Sequence, residues 1–487
     1  MRPASETAAR SATVGSAPLL RRIEGPLDAE RAFVHIYGAS ANAFWLDSSA
    51  TGERARFSFM GDSEGPLGAV VTYDVETGLV RSERAGGVEV RGESIFAHLE
   101  REIRRLGLFY DDLPFGFDCG FAGYLGYELK AECDGARAHG SPTPDAAFIL
   151  AERLVAFDHE EDCAYLLCIT GDSEGKRWIE ETSRRLESLP ALRGETSDVA
   201  PAGLRLRRSR RRYLDDIAAC KRYLAAGHSY EICLTNKVLA ESDREPLALY
   251  RQLRRANPAP FAAYLRFGDL TVLSSSPERF VSVDREGWVE SRPIKGTSRR
   301  GGTSVEDAAL AAALAADEKS CAENVTIVDL VRNDFGRVCE VGTVSVPELM
   351  AVETYETVHQ LVSGVRGRLR ESLGPIDCVR ACFPPGSMTG APKVRTMEII
   401  DELEGEARGV YSGAIGYLGL GGACDLSVAI RTIVRDGREM TIGAGGAIVM
   451  QSDPEQEFDE VLLKARPQIS ALSSSRHVRG ATDPCSL

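Results

Sequence analysis

The sequence predicts a mixed α/β chain of the α+β kind, on three observations. Short β-prone runs follow one another with no helix between them, at residues 33–37, 43–46, 56–61 and 69–71. Helical patterns come in blocks, so the strict βαβα alternation of a doubly wound parallel sheet is missing. The glycine cluster at residues 443–447 also fails the Gly-x-Gly-x-x-Gly spacing of a dinucleotide loop, because Ile448 stands where the third glycine belongs.

Length and charge narrow the reading further. With 487 residues the chain is long for one core, so two domains or one large composite are expected. A formal net charge of -14 argues against a general nucleic-acid or membrane-surface binder. The twelve cysteines are scattered, with no Cys-x-x-Cys pair and no metal-ligand spacing, which suits reduced thiols in a cytoplasmic protein. No apolar run reaches transmembrane length.

Residues 1–18, rich in Ala and Ser, are expected to be disordered. An N-terminal domain over 19–189 follows. It holds the β-prone runs named above, an amphipathic helix at 95–106, a glycine-spaced aromatic segment at 120–127, paired strands at 147–157 and 163–169, and a helix at 177–189. Residues 190–207 form the linker, with Pro, Gly and Ser and no hydrophobic period.

The second domain spans 208–471. Its elements are a helix at 213–226 stopped by Gly227, a strand at 230–235, a helix at 246–256 and strands at 262–267 and 270–274. A capping box at Thr303-Ser304-Val305-Glu306 opens an Ala-rich helix, and a second helix covers 317–333. A strand at 361–369 and a short helix at 375–382 come next. The loop Gly386-Ser387-Met388-Thr389-Gly390 feeds a helix with Pro392 near its start. Strands at 411–418, 424–433 and 440–442 precede a last helix capped by Asp453, and residues 472–487 are a disordered tail.

Several side chains in this second domain could carry chemistry. Lys295, in Arg292-Pro293-Ile294-Lys295-Gly296-Thr297, could act as a nucleophile if burial lowers its pKa, although most such segments are solvated turns. Glu323 lies mid-helix on an apolar face, where a carboxylate needs a partner. Glu457 and Glu460 share a face near the start of the last helix, which suits either the helix dipole or Mg²⁺. Lys393, in the first turn of a helix, and Arg431, after an apolar strand, are candidate anion binders. His359 reads as a structural hydrogen-bonder, and Glu278 as a general acid or an exposed turn residue.

Taken together, these stretches resemble the chorismate-utilising enzymes. The matching segments are Ser275-Ser276-Pro277-Glu278-Arg279-Phe280, Asp317-Glu318-Lys319 with Glu323, and Asp329-Leu330-Val331-Arg332-Asn333-Asp334. Val358-His359-Gln360-Leu361-Val362-Ser363, Gly390-Ala391-Pro392-Lys393, Tyr411-Ser412-Gly413-Ala414-Ile415-Gly416-Tyr417 and Ser452-Asp453-Pro454-Glu455 complete the set, in family order. A looser match covers the N-terminal half through Arg56-Phe57-Ser58-Phe59 and residues 120–127.

The resemblance implies a large sandwich of opposed antiparallel-rich sheets flanked by helices. It implies Mg²⁺ held by Glu323 and Glu460 with Glu457 close, and chorismate gripped by Tyr411, Arg431, Lys393, the backbone at Gly445 and Gly446, and the Ser387 loop. Glu278 would be the general acid, Lys295 the nucleophile, His359 would stabilise developing charge, and Thr297 belongs to the same catalytic segment. The Pro-Ile-Lys-Gly-Thr form is similar to family members that make 4-amino-4-deoxychorismate; members that make anthranilate or isochorismate typically carry alanine at the lysine. Alternatives are an anthranilate-forming chain and a non-catalytic regulatory paralogue.

Two positions depart from the family pattern. Glu231 stands where water-adding members have a basic lysine and many amine-adding ones glutamine, and Ala447 stands where relatives often have glycine. No glutaminase elbow is visible, so ammonia is expected from a separate glutamine amidotransferase or from solution. Ser48 lies roughly where tryptophan contacts regulated relatives.

Overall fold

A computed structural model describes residues 17–50, 56–107, 113–192, 201–355 and 358–472. The segments expected to be disordered therefore lie outside the described residues, except for 17–18 and 472, as does 193–200 of the linker. Two sheets of twelve strands each make up the frame, and the pairing is antiparallel throughout. The sandwich expected of the chain is borne out.

The first sheet runs Leu19–Glu24, Cys163–Cys168, Arg153–Asp158, Phe57–Asp62, Asn42–Asp47, Phe261–Phe267, Leu270–Ser276, Thr432–Asp436, Glu439–Ile448, Glu231–Glu241 and Ala202–Leu206. The short Gly390–Ala391 strand branches from Glu231–Glu241. The second sheet carries Ile294–Arg299 at one edge beside Val358–Arg368. It continues through Trp288–Ser291, Arg279–Val283, Cys424–Val428, Ala414–Gly419 and Gly120–Leu125 to the strands of residues 69–92 and 146–151.

Strand alternation divides the apolar residues of the first sheet between two cores. Phe44, Phe59 and Leu154 point into the space between the sheets, where they join Phe121 and Phe148 of the second sheet. Trp45, Met60 and Val155, one residue along in each case, point to the other side and pack with Phe33, Tyr213 and Tyr250 from the covering helices. With both faces buried, these strands read as near-continuous hydrophobic runs. Among the described residues no helix is long and apolar enough to cross a membrane.

Two expectations about chain organisation are revised. Residues 33–37 are not a strand: they close the helix Ala29–Ile36, whose N-cap Asp28 accepts from the Arg31 N–H at 3.0 Å. A five-residue apolar run does not distinguish a strand from one buried helix face, and the aspartate upstream was the deciding signal. The segments 19–189 and 208–471 also have no separate cores. Asn42–Asp47 pairs with Phe261–Phe267, and Gly120–Leu125 pairs with Ala414–Gly419, so both segments build both sheets. Within the linker, Ala202–Leu206 is a strand paired with Glu231–Glu241.

A buried ion pair ties the middle of this frame together. Arg408 donates to Glu404 at 2.8 and 2.9 Å, to the carbonyls of Met388 (2.6 Å) and Cys233 (2.8 Å), and to Ser412 Oγ (3.3 Å). Glu404 accepts in addition from the Thr235 N–H and hydroxyl, at 2.8 and 2.9 Å. One guanidinium thus fixes the 386–388 turn, the Glu231–Glu241 strand and the turn before Ala414–Gly419. Arg408→Ala should strand Glu404 in the interior and cost about 3–5 kcal/mol. Urea unfolding of the variant against the parent checks this.

Candidate active site

The Ile294–Arg299 strand positions Lys295 through a bulge. Its register against Val358–Arg368 shifts between Ile294 and Thr297, and Gly296 takes a φ of +86°. A Cβ at Gly296 would come within 2.6 Å of Ser320 Oγ, so the chain needs glycine there for space as well as conformation. Without a bulge, residues 295 and 297 would share a face. With it, Lys295 is buried and Thr297 is exposed. Thr297 is accordingly not gathered with the lysine.

Lys295 Nζ donates to Glu231 Oε1 at 2.7 Å, and Glu231 is 1% exposed. The other Glu231 oxygen is buried with no hydrogen-bond partner among the described residues. Burial alone would push the lysine pKa down. The Glu231 and Glu323 carboxylates outweigh it and hold the group above the usual lysine range. The expectation of a burial-activated amine is corrected: in this state Lys295 is a paired ammonium.

Glu278 follows the Leu270–Ser276 strand and is buried. Burial raises its pKa to about 7, against the opposing effects of the Ser387 hydroxyl, the Lys295 charge and the Ile294 N–H. Burial thus favours the protonated form of Glu278 well above the usual carboxylate range. Ser387, read as a substrate contact, lines the same small cavity as this acid.

Three further carboxylates come from two helices. Glu323 belongs to Glu318–Val338; Glu457 and Glu460 belong to Pro454–Leu472. A Cβ at Gly446 would lie 3.1 Å from Glu457 Oε2 and 3.9 Å from Glu460 Oε1, so glycine keeps the strand from crowding these acids. Lys319 sits among them, 2.7 Å from Glu457 and 3.7 Å from Glu323. Glu460 pairs with Lys464 at 2.6 Å. Among the described residues, Glu323 Oε1 and Glu457 Oε2 are buried without hydrogen-bond partners. Burial raises the Glu323 pKa, partly offset by Lys295 and raised further by Glu231. Among the described residues, no three such side chains are gathered tightly enough to enclose an ion as they stand.

The candidate anion-binding side is built around Arg431, a non-glycine residue at φ +52°. Its carbonyl accepts from the Ser275 N–H (3.1 Å), the Ser275 hydroxyl (3.3 Å) and Gln468 (3.2 Å), contacts that hold the strained backbone in place. Its guanidinium donates to the Lys464 carbonyl at 2.6 Å, and no carboxylate pairs with it among the described residues. Burial lowers its pKa, and Tyr411 and Glu460 act the other way. Lys464 Nζ also donates to the Gly445 carbonyl at 3.0 Å, which joins Arg431, Gly445 and Glu460 into one patch. Ala447 sits on the same strand, opposite Cys233.

Two predicted residues are placed elsewhere. Lys393, expected to help bind an anion, donates to Asp334 (2.7 Å) and to the carbonyls of Cys382 (2.6 Å) and Pro384 (3.1 Å). Its three donors are spent on the scaffold, so it is a structural clamp. His359 is held at Nδ1 by Thr354 and at Nε2 by Asp307, both at 2.9 Å, and pairs across the strands with Ser298 rather than Lys295. The residues that sequence reasoning overlooked are Lys319 and Lys464. Their i, i+4 spacing from Glu323 and Glu460 was the available signal.

A cavity of about 480 Å³ lies apart from this cluster. It is lined by Ser48, Phe57, Pro260, Arg279, Tyr417 and Asp425, among others. The Ser48 hydroxyl donates to the Phe57 carbonyl at 2.6 Å.

Comparison with known proteins agrees with this layout. The family model for chorismate binding enzymes matches residues 50–470. An aminodeoxychorismate synthase of Streptomyces griseus is 49% identical over 97% of this chain, which spans 67% of that protein. A chloroplastic aminodeoxychorismate synthase of Arabidopsis thaliana is 41% identical over 90% of the chain, which spans 52% of its length. Among solved structures, anthranilate synthase component I of Streptococcus pneumoniae superposes with a TM-score of 0.74 at 30% identity, covering 86% of this chain and 93% of that one.

Proposed function

The chain belongs to the chorismate binding enzyme family, and from that premise we propose that it converts chorismate and ammonia to 4-amino-4-deoxychorismate. One observation carries the choice within the family: a buried lysine, Lys295, lies within the field of a buried acid, Glu278, whose pKa burial raises. An amination that proceeds by covalent displacement needs those two groups together. The similarity to proteins named aminodeoxychorismate synthase supports the same reading.

Each cluster then has a task. Arg431, with Tyr411 near enough to act on its charge, receives the enolpyruvyl carboxylate on the guanidinium donors that its bond to the Lys464 carbonyl leaves open. Glu323 and Glu457, through their unpartnered oxygens, and Glu460 beside them would hold Mg²⁺ if Lys319 and Lys464 release these carboxylates, and the ion would supply positive charge for the ring carboxylate. Glu278 gives its proton to the departing C4 hydroxyl while Lys295 Nζ bonds to C2. Ammonia then bonds to C4, and the C2–Nζ bond breaks with its electron pair returning to the lysine. The enolpyruvyl group stays on the product. Ammonia comes from a glutamine amidotransferase partner or from solution. The product would feed p-aminobenzoate and folate or a specialised metabolite. The Ser48 cavity would be the seat of an effector or of a structural tryptophan.

Product analysis of the purified chain with chorismate, Mg²⁺ and ammonium tests this reading. An aminated product that keeps its enolpyruvyl group is expected. Anthranilate with released pyruvate would overturn it in favour of the anthranilate branch, and absence of turnover would favour a regulatory paralogue. The metal assignment has its own check. Glu323→Gln should weaken the Mg²⁺-dependent rise in Tm at least about tenfold in midpoint concentration, about 1.4 kcal/mol.

A further inference from the structure

The geometry points to Glu231 as the base that takes the proton from Lys295 before it attacks. The inference rests on the covalent reading given above. Lys295 Nζ has one bonded carboxylate among the described residues, Glu231 Oε1 at 2.7 Å. A lysine held as an ammonium cannot form a bond to carbon until it gives up a proton, so the attacking amine has to be generated inside the site.

The neighbouring acids are less suited to accept it. Glu278 is the proton donor of the same step, and burial favours its protonated form. Glu457 and Glu460 are engaged by Lys319 and Lys464, at 2.7 and 2.6 Å. Glu323 acts on Lys295 through its charge, with Lys319 at 3.7 Å. Cys233 also faces the lysine, but its buried thiol pKa is raised. Glu231 alone combines direct contact with Nζ and a second oxygen that is buried and unpartnered. Such a carboxylate is poorly solvated, as is the ammonium beside it, and one proton passing along the 2.7 Å hydrogen bond between them removes both buried charges at once.

The proton count closes. Nζ–H breaks and Glu231 Oε1–H forms; the freed pair on Nζ bonds to C2. The ring electrons shift, C4–O breaks, and Glu278 delivers the proton that makes water. Ammonia bonds to C4 and Nζ leaves with its pair as a neutral amine. The new C4 ammonium returns a proton to Glu278, and Glu231 returns its own to Lys295. The net change is chorismate plus ammonia to aminated product plus water.

The test follows the Lys295–substrate adduct by rapid quench and intact mass, using the full chain with chorismate and Mg²⁺ and no ammonia. Glu231→Gln keeps the size and the hydrogen bond but not the basicity. It should slow adduct formation by about 10²- to 10⁴-fold, with chorismate KM within about threefold. Glu231→Ala should be equally slow and regain rate with added formate but not formamide, which a purely structural role would not allow. A Glu231→Gln adduct rate equal to or above the parent would overturn the proposal, since the glutamate would then only hold the lysine charged. A Glu231→Ala loss that formate does not restore would overturn it as well. Failure of the underlying reading looks different: the parent chain forms no adduct, and Lys295→Ala still aminates chorismate.

Discussion

Lys295→Ala is expected to abolish amination, with kcat reduced by about 10⁴-fold or more, because removal of a covalent nucleophile leaves only binding and electrostatic assistance. The alanine variant has a second effect that must be separated from the first. It leaves Glu231 in the interior without its cation, and breaking one side of a buried pair costs about 3–5 kcal/mol unless the survivor takes up a proton. Lys295→Arg resolves this. A guanidinium keeps the positive charge opposite Glu231 but stays protonated and does not attack carbon. Both variants should bind chorismate, both should lack the mass adduct, and only the alanine variant should lose Tm. Measurable amination by Lys295→Arg would refute covalent catalysis.

Glu278→Gln is expected to lower kcat by about 10²- to 10⁴-fold, the usual worth of a positioned proton donor. The pH dependence gives a sharper signature. Burial raises the Glu278 pKa to about 7, and the working form is the protonated one. Activity governed by this group is therefore fully present below that value and falls as pH rises through it, approaching a tenfold loss per unit. Adduct formation without ammonia is the better readout, because it excludes the titration of ammonium itself. In Glu278→Gln the alkaline fall should vanish, leaving a low and level profile.

Much of the fold and part of the site were legible in the sequence, and the divide between what was and was not has a physical basis. Strand alternation and helix caps are local, so Pro375–Cys382 and the last helix could be placed from neighbouring residues alone. Short motifs likewise marked Glu278, Lys295, Glu323 and the Glu457–Glu460 pair, which the structure brings into one region. What failed depended on partners far along the chain. Lys393 was read as an anion binder from its place in a helix first turn, but Asp334, from another helix, had already claimed it. Burial of Lys295 was weighed without Glu231, which is 64 positions away. The linker's composition carries no information about whether the stretches on either side share a sheet, or that Ala202–Leu206 itself joins one.

That sharing bears on how the protein is made. Because Asn42–Asp47 docks beside Phe261–Phe267 and Gly120–Leu125 beside Ala414–Gly419, neither sheet is complete until most of the chain has left the ribosome. Pairings of such long sequence separation are slow to form, and until they do, the early strands present open edges. A fragment truncated near residue 205 would turn Phe261–Phe267 and Ala414–Gly419 into unpaired edges and would be prone to aggregate. Selection acting on the active-site half therefore constrains the other half too, since strands that frame the site and their neighbours from the other half must be inherited as one unit.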